Sequence, residues 1–93
     1  MRGPSEFERV INGKRYSVKK AEIIAVDSRL GGEIFMYRTF IGNYFLVHTT
    51  CFQGEQDRLE PISMQEAMEM WERFPEQTVK FEEAFPGHEV ADA

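Results

Sequence analysis

The chain has 93 residues, of which 42% are hydrophobic and 29% are charged, and this composition is typical of a globular protein rather than of a disordered or fibrous one. Its apolar runs are shorter than the roughly 20 residues that span a bilayer, and its N-terminal segment lacks the apolar core of a signal peptide. We therefore expect one cytoplasmic domain over residues 1–93, with frayed ends at 1–5 and 88–93 and no membrane contact. The single cysteine, Cys51, excludes an internal disulfide bond.

The formal net charge of −5 is distributed unevenly along the chain. Residues 1–52 contain eight Lys and Arg against five acids, whereas residues 53–93 contain three bases against eleven acids. Such an asymmetry affects the choice of partner and the rate of association rather than the fold.

The first predicted element is a β-hairpin. Asn12-Gly13 stands between two short runs of β character, and this dipeptide is a strong signal for a two-residue hairpin turn. We expect strands near 7–11 and 14–18. A short helix should follow, ending at Gly31-Gly32, because Ser17 is a good N-cap residue and four apolar side chains then share one helical face: Val18, Ala21, Ile24 and Ala25.

A second hairpin is predicted in MYRTFIGNYFLV, residues 36–47. Gly42-Asn43 suits a two-residue type II′ turn. That turn would pair Ile41 with Tyr44, Thr39 with Leu46 and Tyr37 with His48. Both faces of the hairpin are partly apolar, so we expect it at the centre of a sheet, covered by helices on one side and half solvated on the other.

The C-terminal part is predicted to be helical after a polar loop, CFQGEQDRLEP. Ser63 and Glu66 form a capping box, and Ile62 with Ala67 can form a hydrophobic staple around it. Pro75 then begins a last helix, PEQTVKFEEAF, which ends at Pro86-Gly87. The predicted fold is α+β in the order ββαββαα: two hairpins in a small antiparallel sheet, a short helix between them, and two C-terminal helices packed on the sheet.

His48 and Cys51 form an H-x-x-C pattern that resembles half of a metal site or a nucleophile with its base. A structural zinc site needs four ligands, and the only other His or Cys is His88. Strand residues three apart also point to opposite faces, so His48 is poorly placed to activate Cys51. We interpret the pair as a strand histidine and a buried thiol, and predict no catalytic residue, metal or cofactor.

Acidic side chains recur every three or four residues in the predicted C-terminal helices: Glu66, Glu69, Glu72 and Glu76. Acid–base catalysis would require burial and separated pKa values. A solvated helix face is the ordinary explanation of such a stripe. The alternative is an acidic surface that binds a protein partner with a basic surface.

Two further sets of residues are candidates for binding. A basic set could bind a phosphate backbone, although the acidic chain makes direct nucleic-acid binding the weaker alternative: Lys14, Arg15, Lys19, Lys20 and Arg38. An aromatic set would mark an interface if its members cannot all be buried: Tyr37, Phe40 and Tyr44. Methionines at 64 and 68 could equally contribute to a homodimer.

Taken together, MYRT, Gly42, Phe45-Leu46, Pro61-Ile62-Ser63, Glu66-Ala67 and Trp71 resemble the pattern of a family of small bacterial and mobile-element proteins whose function is unknown. Relatives have a longer, Gly-rich loop where this chain has HTTCFQGEQDRLEP. The resemblance implies the fold and a phage or mobile-element setting, and it implies no catalytic residue.

Size, charge and this resemblance together suggest a non-enzymatic, protein-binding inhibitor of a nucleic-acid-handling defence protein, of the anti-CRISPR or anti-restriction type. A nucleic-acid-binding or regulatory protein and a self-associating structural protein are the alternatives.

Overall fold

The computed structural model describes residues 7–29, 32–50 and 57–88, which form a small α+β fold of the predicted class. Its elements, in chain order, are β1 (Glu8–Ile11), β2 (Lys14–Ser17), a 3-10 turn (Val18–Lys20), β3 (Ala21–Arg29), β4 (Gly32–Thr39), β5 (Tyr44–Thr50), β6 (Arg58–Ile62), α1 (Met64–Arg73), β7 (Glu76–Gln77) and α2 (Phe81–Ala84). The predicted order ββαββαα is wrong in detail, because β3, β6 and β7 lie where a helix, a loop and the start of a helix were expected. The predicted frayed ends lie outside the described residues, apart from His88.

The first hairpin forms as predicted. β1 and β2 are antiparallel, with Ile11 opposite Lys14. Asn12 and Gly13 between them have positive φ values of 51° and 78°, which is the signature of a type I′ turn. Asn and Gly tolerate this left-handed backbone, so the local sequence alone is enough to determine the turn.

The main sheet has five antiparallel strands in the order β6-β5-β4-β3-β7. The β4–β5 hairpin lies at its centre, as predicted. The helical layer, residues 63–88, covers one face through side chains such as Phe74 and Phe85. The hairpin layer, residues 7–20, packs Tyr16 and Val18 on the other face, which was expected to be half solvated. Both faces of the central strands are therefore buried.

The predicted helix after Ser17 is wrong, because its residues form the 3-10 turn and β3. Ser17 makes no side-chain capping bond, and β3 pairs with β4 on one side and with β7 on the other. A bulge between Ile23 and Ala25 turns Ile24 and Ala25 toward the same, helical face. The bulge lets two consecutive apolar residues face the same side, which is why their spacing in the sequence resembles that of a helix. The β-branched side chains of this segment favour a strand.

The β4–β5 hairpin has a different turn from the predicted one. Thr39 and Asn43 close a loop of three residues, Phe40, Ile41 and Gly42, because the Thr39 N–H donates to the Asn43 carbonyl (2.8 Å). The Gly42 N–H also donates to the Thr39 carbonyl (3.0 Å). Gly42 has φ of 91°, as expected for a type I turn followed by a left-handed residue in a bulge. The register then pairs Tyr37 with Phe45. The predicted pairs Ile41–Tyr44, Thr39–Leu46 and Tyr37–His48 do not form.

The capping box at the start of α1 is confirmed. The Glu66 N–H donates to Ser63 Oγ (3.1 Å), and the Ser63 N–H donates to Glu66 Oε1 (3.0 Å). The segment before it, predicted as loop, is partly strand: β6 pairs with β5 and buries Leu59. Residues 51–56 of the predicted loop lie outside the described part of the chain. β6 is an edge strand, a position that tolerates Pro61, which has no N–H.

The last predicted helix is wrong over its first half. Glu76 and Gln77 form β7 against β3, and the helix begins only at Phe81. The Thr78 hydroxyl donates to the Ile23 carbonyl (2.6 Å), and the Thr78 N–H donates to the Ile24 carbonyl (3.2 Å). Bonds to the edge of the sheet thus replace the bonds that a helix would make within itself. No helix in the described ranges is long and apolar enough to cross a membrane.

Candidate interaction surfaces

The fold places opposite charges on opposite faces of the main sheet. The hairpin layer contains five Lys and Arg and one acid, whereas the helical layer contains six acids and two Lys and Arg. The central strands of the sheet between them are buried on both faces, so the two charged surfaces are on opposite sides of the sheet. The asymmetry seen along the sequence thereby becomes an asymmetry in space.

The predicted acidic set lies in the helical layer but does not form one helical stripe. Glu66, Glu69 and Glu72 are exposed on α1, while Glu76 is exposed on β7. Glu66 also accepts the Ser63 bond of the capping box, which lowers the pKa of its carboxyl. Two further acids of this layer, Glu82 and Glu83, are exposed on α2 and were not among the predicted binding residues.

The predicted basic set is split by the sheet. Lys14, Arg15, Lys19 and Lys20 are exposed in the hairpin layer. Arg38 instead lies on the helical face, 3.7 Å from Glu22, where its charge and a hydrogen bond also act on Tyr44. Arg38 Nε is buried without a hydrogen-bond partner. Arg38 therefore contributes nothing to a basic surface shared with the other four residues.

Two of the three predicted interface aromatics belong to the core. Tyr37 and Tyr44 are each 3% exposed. The Tyr37 ring stacks on Phe45 with 5.1 Å between centroids, and the Tyr44 hydroxyl donates to the Ala84 carbonyl (2.8 Å). The aromatic-interface prediction is wrong for both. Phe40, by contrast, is 73% exposed.

The methionines considered for a dimer interface lie in different surroundings. Met64 is exposed at the start of α1, while Met68 packs against the core cluster on the helical face of the sheet. They do not form a shared exposed apolar stripe.

A cleft of about 350 Å³ opens between β2 with the 3-10 turn and the β4–β5 loop, and we call it the loop cleft. Its lining residues are Arg15, Ser17, Lys20, Thr39, Phe40, Ile41 and Asn43. Ile41, 87% exposed, is the most exposed large hydrophobic side chain of the described residues. The predicted two-residue turn had placed Ile41 in a strand, and the loop cleft was missed for that reason.

Of the H-x-x-C pattern, the structure describes only His48. His48 Nε2 lies 3.0 Å from Glu60 Oε1 on the neighbouring strand, and Cys51 lies outside the described residues. Within residues 7–29, 32–50 and 57–88, no group of three or more His, Cys, Asp or Glu side chains could hold a metal ion.

Comparison with known protein families, curated proteins and solved structures finds no match for this chain. The resemblance to small bacterial and mobile-element proteins therefore stays a prediction.

Proposed function

We propose that the protein is a non-enzymatic protein-binding module whose helical layer contacts a partner with a basic surface. The observation that supports this function is the separation of charge by the sheet. Besides the capping residue Glu66, five acids of the layer are exposed on α1, β7 and α2: Glu69, Glu72, Glu76, Glu82 and Glu83. Complementary charge accelerates encounter and determines orientation more than it adds affinity.

The class of partner follows from the chemistry of this surface. Proteins that handle nucleic acid present Lys and Arg to phosphate groups, and a layer of carboxylates can occupy such a surface in place of phosphate. We therefore infer an inhibitory or regulatory role toward a nucleic-acid-handling protein, including a host defence protein.

In the test, wild-type protein and the variant Glu69→Lys/Glu72→Lys are each used as bait to capture partners. The affinity of each purified partner is then measured by titration at about 0.1 M and about 0.5 M salt, because exposed charges become screened over this range. We expect a basic partner whose affinity falls with salt and falls at least tenfold with the double reversal. The matched control is Glu8→Lys/Asp57→Lys, which makes the same change in net charge at two exposed acids outside the helical layer.

If the control variant Glu8→Lys/Asp57→Lys lowered the affinity for the partner equally, the loss of affinity would be an effect of net charge alone. Undiminished binding by the Glu69→Lys/Glu72→Lys variant would contradict the proposed surface.

Direct nucleic-acid binding is a second candidate, because Lys14, Arg15, Lys19 and Lys20 are all exposed in one layer. A gel-shift assay at about 0.05 M salt, where phosphate contacts are strongest, separates the two functions. The acidic module should not retard DNA or RNA by itself, whereas a binder should retard it and lose the effect in Lys14→Glu/Lys19→Glu.

A further inference from the structure

We propose that the loop cleft binds a short segment of another protein that combines apolar side chains with carboxylates. This site lies in the part of the molecule formed by the hairpin layer and the β4–β5 loop. The proposed binding by this cleft does not depend on the binding proposed for the helical layer, and an experiment can disprove one of them without affecting the other.

The apolar part of the cleft lining is formed by Phe40 and Ile41, which are 73% and 87% exposed. Adjacent exposed apolar side chains at a cleft are typical of binding sites, whereas isolated ones are ordinary. Phe40 and Ile41 are the first two residues of the loop after β4, and both line the cleft. They offer an apolar contact that an apolar side chain of a partner can cover.

Hydrogen bonds hold the loop backbone that carries these two side chains. Besides the backbone bonds between Thr39, Gly42 and Asn43, the Asn43 N–H donates to Thr39 Oγ1 (2.9 Å). Thr39 is itself buried, which anchors the loop to the sheet. Because the loop is already ordered, binding loses less conformational entropy than it would with a flexible loop.

The charged part of the cleft lining is a pair of cationic side chains. Arg15 is on β2 and Lys20 is at the end of the 3-10 turn. Arg15 Nε lies 3.4 Å from Glu8 Oε2, but both side chains are more than half exposed, and a pair of this kind is weak and easily exchanged. A carboxylate on a bound segment can therefore compete for Arg15 while also meeting Lys20.

The dimensions and charges favour a protein segment over the other possible occupants. A cleft of about 350 Å³ is near the lower end of ligand pockets, which are about 300–1,000 Å³, and accommodates a few side chains. Single-stranded nucleic acid binds through series of aromatic platforms, whereas the most exposed large hydrophobic side chain at the cleft is the aliphatic Ile41. A second copy of this chain is a weaker candidate. Among the described residues of its helical layer, only one large hydrophobic side chain, Met64, is exposed and could contact Phe40 and Ile41.

The probe is a library of displayed random 12-residue peptides, selected on the wild-type protein after removal of peptides that bind Phe40→Ser/Ile41→Ser. The best peptide is synthesised with a fluorescent label and titrated by anisotropy. We expect selected peptides to combine Asp or Glu with Leu, Ile, Phe or Trp. Binding should weaken at least tenfold in Phe40→Ser/Ile41→Ser, in Arg15→Glu and in Lys20→Glu. Lys14→Glu, with the same change in charge on the same hairpin but outside the cleft lining, should remain within twofold.

Thermal unfolding of each variant establishes that it is folded. If Arg15→Glu is not folded, Lys20→Glu still tests whether the cationic side chains of the cleft are needed for binding. Peptides without acidic residues, or peptides that bind Arg15→Glu and Lys20→Glu as well as wild type, would overturn the proposal. Displacement of the peptide by oligo(dT) through the same residues would instead assign the cleft to nucleic acid. If no peptide binds and the protein self-associates in a way that is lost in Phe40→Ser/Ile41→Ser, the cleft would be assigned to a second copy of the chain. Displacement by oligo(dT) and such self-association would each overturn the proposal.

Discussion

At the scale of single residues, burial decides which aromatic side chains are structural. Tyr37 and Phe45 are opposite one another on β4 and β5 and stack in the core on the hairpin-layer face. Burial raises the pKa of Tyr37 to about 12, from an ordinary value of 10.0. The pKa of Tyr44 is also raised, mainly by burial, although the nearby Arg38 charge acts in the opposite direction.

The raised pKa of Tyr37 predicts sensitivity to alkali. A folded-state pKa above the unfolded value means that the stabilisation is fully present below about pH 10 and is lost as the pH rises through about 12. Tyr37→Phe has no proton to lose there, so we expect its alkaline unfolding midpoint to be higher than that of wild type, measured by circular dichroism. Guanidinium unfolding at pH 7 is the control. A Tyr37→Phe protein with an unchanged alkaline midpoint would show that Tyr37 does not contribute to alkaline unfolding.

At the scale of elements, α1 combines a strong local start with an attachment to the sheet. Ser63 and Glu66 satisfy each other's backbone N–H groups at its first turn. The Trp71 indole N–H donates to the Ile24 carbonyl (3.1 Å) at the β3 bulge. The Gln77 side-chain amide donates to the carbonyls of Trp71 (2.9 Å) and Phe74 (2.8 Å), which ties the end of α1 to β7.

Removal of the cap should destabilise the protein measurably. Ser63→Ala should lower the free energy of unfolding by about 1 kcal/mol at pH 7, because the Glu66 N–H loses its acceptor. Urea unfolding provides the measurement. Gln65→Ala, an exposed substitution in the same turn, is the control and should stay within about 0.5 kcal/mol of wild type.

The same cap should depend on pH. Since the pKa of Glu66 is lowered in the folded state, its stabilisation is fully present above the ordinary value of 4.5 and is lost as the pH falls through the folded-state pKa. The destabilisation caused by Glu66→Ala should therefore shrink in acid. An effect of Glu66→Ala that is constant from pH 7 to pH 3 would mean that the carboxylate charge is not involved.

At the scale of the whole molecule, two core clusters share one sheet. Met36 and Leu46 contribute to the cluster on the helical face, while Phe35 and Phe45 contribute to the one on the hairpin face. Because the same strands carry both clusters, neither layer can lose its packing without exposing the sheet that supports the other.

This arrangement predicts a single cooperative unfolding transition. Trp71, the only tryptophan, packs against the helical-face cluster, so its fluorescence reports on that layer, whereas far-ultraviolet circular dichroism is sensitive to the strands. We expect the two probes to give the same midpoint in urea, as in two-state unfolding. A fluorescence transition at lower urea would show that the helical layer unfolds independently.

Some features could be predicted from the sequence because their cause is local. The Asn12-Gly13 turn and the Ser63–Glu66 capping box each depend on a few adjacent residues, and both are as expected. The central position of the second hairpin was also predictable, because apolar residues occupy both of its faces. These features need no information about the rest of the chain.

Other features depend on partners that are distant in the chain. β3 resembles a helix in its spacing, yet becomes a strand because β4 and β7 pair with it and a bulge shifts Ile24 and Ala25 to one face. Glu76 and Gln77 were expected in the first turn of a last helix that begins at Pro75, yet they pair with the edge of β3.

The candidate surfaces divide in the same way. The excess of acid in the C-terminal part and the exposure of the Lys and Arg near the first hairpin could be inferred from composition. The burial of Tyr37 and Tyr44, the transfer of Arg38 to the other face and the exposure of Phe40 beside Arg15 were decided by the tertiary structure. Turn length sets which strand residues face each other, and the packing of two layers on one sheet sets which side chains remain in water.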